Sequence, residues 1–128
     1  MRLLALLLSS LMAHTAAAHH SYADYDRAER FELRGVITEI HWANPHIVFT
    51  VSDGEHDTRV EWITLTGAER TSVQRERFAE GAPVAIIGSR NRNPDVRIMT
   101  VIKEIRLPAS GWHWVSPSET NRPIQTPR

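Results

Sequence analysis

Apolar residues recur at every second position over several stretches of this chain, the period of a strand with one face buried. FELRGVITEI (31–40) carries Phe31, Leu33 and Ile37 at even spacing, and Gly35 sits where a bulge or sharp bend is expected. IVFTVSD (47–53) places Ile47, Phe49 and Val51 on one face and ends at Asp53-Gly54, a hairpin signal. TRVEWITL (58–65) puts Val60 and Trp62 on one side, with Glu61 outward. PVAIIGS (83–89) reads as a buried strand, SRNRNPD (89–95) as a turn-rich loop, and VRIMTVIKEIRL (96–107) as a long alternating strand that stops before Pro108. HWANPH (41–46) interrupts the first alternation, because Asn-Pro forms turns and proline lacks the ladder donor.

One segment follows a different pattern. GAERTSVQRERFAEG (67–81) has helix-forming charges and a closing glycine, with Val73 and Phe78 as its apolar anchors, and predicts a short, mostly solvated helix. Three strands, a helical connection and two more strands give an all-β domain. The expected fold is an OB-like five-stranded small barrel with one short helix between strands 3 and 4. A small open β-sandwich is the alternative. No internal repeat is present.

The ends of the chain differ from this middle. Met1 and Arg2 precede an apolar run, Leu3 to Ala13, about as long as a signal-peptide core and too short to span a bilayer as a helix. Ala16 and Ala18 form the small-residue pair that a signal peptidase reads, so residues 1–18 are expected to be a signal peptide. Cleavage after Ala18 makes His19 the first mature residue, and cleavage after Ala17 leaves Ala18-His19-His20. Residues 19–30 read as a polar arm and 31–108 as the barrel. The Ser-, Thr- and Pro-rich tail, 109–128, is expected to be largely without fixed structure.

Charge and composition then narrow the function. Fifteen basic residues balance fifteen acidic ones, so there is no electrostatic footprint for nucleic acid. Cysteine is absent, which excludes a lipoprotein anchor, disulfides and thiolate metal centres. With no twin-arginine pair, passage across a membrane in unfolded form and a periplasmic or secreted location are expected. There is no glycine-rich phosphate loop and no nucleophile-elbow serine. Met99 is the one methionine beyond the leader, so a methionine-rich Cu(I) site is ruled out.

Candidate chemistry gathers on histidine. If His19 is residue one, its α-amine and its own ring nitrogen chelate one metal, and a second histidine completes a T-shaped brace. If Ala18 is residue one, the amine, two amides and the His20 ring make a square-planar set. Both arrangements favour Cu(II). The bland alternative is a solvated arm. In HWANPH, His41 and His46 flank the turn and would face one another across its mouth, Trp42 plugs the barrel end, and Asn44-Pro45 shapes the turn; His46 is the stronger ligand candidate and His41 the weaker. The first strand is about 33 Å long at about 3.3 Å per residue, and the arm matches it in contour, so a joint site of His19, His20 and His46 is within reach. Trp112 and Trp114 in the tail, flanking His113, would either dock on a partner or fold over the barrel.

The His19-His20-Ser21 start, Gly35, the Trp42-x-Asn44-Pro45-His46 turn, Trp62 in a strand, and Gly81 before Val84 together resemble a family of small exported bacterial proteins, the domain of unknown function 6152. The resemblance runs from His19 to about Leu107. The helical region is shorter than the family's usual run, and the 89–95 loop is less glycine-rich. The resemblance implies no established activity, but it does imply that the His-His start and the Asn-Pro-His turn occur together. The expected function is a periplasmic metal-binding protein, a Cu(II) carrier or buffer. The alternative is a metal-free binding module for a partner protein or small exported ligand, engaged through Trp42, Asn44, Trp112 and Trp114. A copper oxidase or oxygenase is a third reading, for which so small a domain offers little substrate cleft.

Overall fold

The computed structural model describes residues 22–120. The expected strands form, as β1 (Phe31–His41), β2 (Val48–Ser52), β3 (Asp57–Glu61), β4 (Pro83–Arg90) and β5 (Ile98–Leu107). Their order in the sheet is β3-β2-β1-β4-β5, and a parallel pairing of β3 with β5 at Arg59–Ile98 and Val60–Met99 closes the barrel. This is the OB-like arrangement, and the sandwich alternative falls away. The alternation carries it: Ile37, Ile47, Phe49, Val51, Val60, Ile86, Met99 and Ile105 are all fully buried, one set of faces turned into a common core.

The bulge in β1 lies between Ile37 and Glu39, not at Gly35. Gly35 meets a different need. A Cβ there would stand 2.2 Å from the Ser52 carbonyl oxygen, so only glycine lets β1 pass β2 that closely while it pairs with Val84 on its other side. The third strand also ends sooner than expected, at Glu61. Thr64 turns the chain by accepting the Gly67 N–H on its hydroxyl, and α1 (Leu65–Arg70) follows. The helix spans six residues and a separate 3-10 turn follows at Arg75–Arg77, but the two expected anchors hold: Val73 and Phe78 are buried and plug the barrel end beneath β1–β2.

Past Pro108 the structure departs from the expected loose tail. Residues Trp112–Val115 form a sixth strand, β6, paired with Glu104–Leu107, and a short helix, α2 (Pro117–Thr120), follows. The lower part of β5 bonds to β3 and the upper part to β6. The sixth strand therefore extends the sheet past the point where β3 and β5 part. Between the two pairings β5 bulges, and Val101 takes φ 50°, a left-handed conformation that a β-branched side chain rarely adopts.

Candidate functional site

The HWANPH connection emerges at the end of the barrel that α1 and Phe78 close. Trp42 packs on Phe78 with ring centroids 5.7 Å apart, so it plugs the barrel end as expected. Asn44 accepts the Leu65 N–H on its side-chain oxygen at 3.3 Å, tying the loop to the start of α1, and the Asn44–Pro45 bond is cis. Immediately after half-buried His46, Ile47 donates to the Ile63 carbonyl and accepts from Trp62 N–H, both at 2.9 Å. The His46 backbone is thus joined to the end of β3. His41 is exposed and opens on a 280 Å³ groove across the outer sheet face with Glu39, Val48, Thr50 and Arg59. His46 is not among the residues that line that groove. His41 pairs with Val48 at the end of β1.

His19 and His20 lie outside the described residues. Among the described residues, no group of three or more His, Asp or Glu is placed to hold a metal ion. The described arm is nevertheless firmly held. Tyr25 is buried and bridges to Asn91; Glu29 takes both the guanidinium and the backbone N–H of Arg90, each at 2.7 Å; and the buried Lys103 ammonium donates to the Glu29 carbonyl. Burial works against the Glu29 charge, yet the Arg90 contacts outweigh it and hold the carboxyl below its usual range.

From there the arm turns into the seam. Tyr22, 60% exposed, shares a 420 Å³ groove with Arg27, Glu61, Trp62, Ile63, Thr100 to Lys103, Ser116, Ser118 and Glu119. The Arg27 guanidinium lies 5.7 Å over the Tyr22 ring. The groove carries the strained Val101, and Trp62, one of its walls, keeps a buried indole N–H without an acceptor.

Trp112 and Trp114 turn inward. Trp114 meets Trp62 edge-on at 5.0 Å and is 7% exposed; half-buried Trp112 meets Phe78 edge-on at 5.4 Å with the Arg77 guanidinium over its ring. Of the two expectations for this pair, folding over the barrel is the one the structure realises. Trp114, set inside the fold, offers no face to a partner. His113, between them, points outward to Glu104 at 3.1 Å. Glu104 also accepts from Arg30 and Arg106. Burial again opposes its charge, but the hydrogen bonds from His113, Arg106 and Arg30 prevail and its carboxyl sits below the usual 4.5.

Sequence reasoning missed the seam groove and the tether of the arm. Glu29 and Arg90 are 61 residues apart, and Glu29 and Lys103 are 74 apart, so no local pattern announces either contact. Among the described residues no helix is long and apolar enough to cross a membrane. Neither the curated proteins nor the solved structures contain a match to this chain. A family of unknown function (DUF6152) matches residues 7–98, which include the Asn-Pro-His turn, the first four strands and the helical connection, and the chain belongs to that family.

Proposed function

We propose that this is an exported periplasmic protein that binds Cu(II) as a carrier or buffer, through an N-terminal histidine chelate formed after cleavage near Ala18. His19 and His20 supply the terminal nitrogen ligands and His46 the distal one, with His41 a weaker contributor. The observation that carries this reading is the course of the arm. Tyr22 and Ile63 wall the same groove, and Ile63 is hydrogen-bonded to Ile47, the neighbour of His46. One residue, Ser21, separates Tyr22 from His20, a span of at most about 7 Å. An α-amine and imidazoles are the neutral nitrogen donors that tetragonal Cu(II) favours at neutral pH.

The test is an intact mass of the exported protein with and without one equivalent of Cu(II), followed by affinity measurements on variants. A chain starting at His19 or Ala18 that holds one copper, with affinity weakened by His46→Ala, supports the reading. A start further downstream, or no retained copper, overturns it. Affinity falls below about pH 6, where protons compete for imidazole and amine; an affinity that does not change from pH 8 to pH 5 contradicts these ligands.

A second reading is favoured by the seam groove itself: a metal-free binding module whose 420 Å³ groove takes a partner segment or small ligand. The double variant His19→Ala/His20→Ala separates the two. It abolishes copper retention under the first reading and leaves ligand capture intact under the second.

A further inference from the structure

Helix α2 walls one side of the seam groove, through Ser118 and Glu119, and does so without an apolar anchor: none of its four residues is buried. Its turn is closed from within. The Glu119 N–H bonds the Ser116 carbonyl at 2.8 Å, and the Thr120 hydroxyl bonds the Pro117 carbonyl at 2.9 Å. A helix this short has little stability of its own, and segments with few buried apolar contacts open most readily. At its base the chain is fixed, because the Ser116 N–H bonds the Lys103 carbonyl at 2.8 Å. At its far end, the Glu119 carboxylate reaches across to Arg30.

The receiving side of that contact is rigid. Arg30 divides its guanidinium, with Nη1 donating to Glu119 and Nη2 to Glu104. Glu104 gives Oε1 to Arg30 and turns Oε2 to Arg106 at 2.7 Å and to His113 at 3.1 Å. The residue before, Glu29, is held by Arg90 of β4 and Lys103 of β5. Arg30 is therefore braced by the barrel as well as by its own arm, and both carboxylates it grips are 14% exposed. A light, unanchored helix meets a fixed cation.

We propose that α2 is a flap over the seam groove, hinged at Ser116 and latched through Glu119 by Arg30, and that this latch controls entry to the 420 Å³ space beneath it. The device concerns entry, and holds whichever ligand the groove takes. Opening lifts Ser118 and Glu119 away, while Tyr22 and Arg27 on the arm and Thr100 on β5 stay in place.

The chain has no cysteine, so one engineered thiol reports on the groove alone. Thr100→Cys places it on the β5 wall, and its rate of reaction with a bulky maleimide is measured in the metal-free mature protein. Arg30→Gln and Glu119→Gln are each expected to raise that rate about threefold or more, the scale of one ion pair, and the two together no further than either alone. Glu55→Cys, on the exposed β2–β3 turn, is the control and should react at one rate in every background. Amide exchange on the chains without cysteine gives a second readout: residues 117–120 speed up in both single variants and residues 31–41 do not. Rates unchanged by either substitution, effects that multiply in the double variant, or a rise shared by Glu55→Cys or by residues 31–41 overturns the proposal.

Discussion

At Gly35 the absence of a side chain is a packing requirement. The Ser52 carbonyl oxygen occupies the space a methyl group would need, and both belong to strand backbones that the ladder holds in place. Gly35→Ala is expected to cost about 1–3 kcal/mol or more, read as a fall in urea midpoint with unchanged slope. Gly54, with open space around its Cβ direction, serves its turn through φ 98° alone. The sequence marked Gly35 as a special position but misjudged the reason, because a close approach depends on a partner strand and a bulge only on its own. The inward trio Ile47, Phe49 and Val51 was legible, since alternation is local. Val101 was not: its neighbours alternate smoothly in sequence, and the irregularity falls between the two stretches of β5 that pair with β3 and with β6.

Among the elements, β6 was the one least visible beforehand. Its four residues are framed by turn formers and followed by Ser and Pro, a composition that reads as loop, and its stability comes from Trp114 reaching Trp62. Trp114→Ala is expected to destabilise the fold by about 3–5 kcal/mol, the cost of emptying a large aromatic site, measured by chemical denaturation. The strand is also clipped from outside. Glu104 on β5 binds Arg30 before β1 and His113 on β6, and Arg30 reaches Glu119 in α2 as well. Because the folded pKa of Glu104 is depressed, its contribution is full above its ordinary value of 4.5 and is lost as pH falls through the lower folded value. Glu104→Gln should flatten the decline in denaturation midpoint between pH 5 and pH 2; a curve parallel to that of the native protein would show the carboxylate to be irrelevant.

For the molecule as a whole, the order of elements sufficed to give the barrel, since five strands with a helix after the third allow few closures. The candidate sites were legible to different depths. The Asn-Pro-His turn stood out by its residues, whereas the seam groove is assembled from segments far apart in sequence and became visible only with the fold.

All four tryptophans crowd around Phe78 or Trp62 at the end of the barrel that bears His46. None of them lines the cavity bordered by Phe31, Asp53 and Arg97. The protein's intrinsic fluorescence is thus a one-ended reporter. Cu(II), a paramagnetic quencher, is expected to dim the emission as it loads beside His46. A single cuvette can therefore report loading at that end of the barrel.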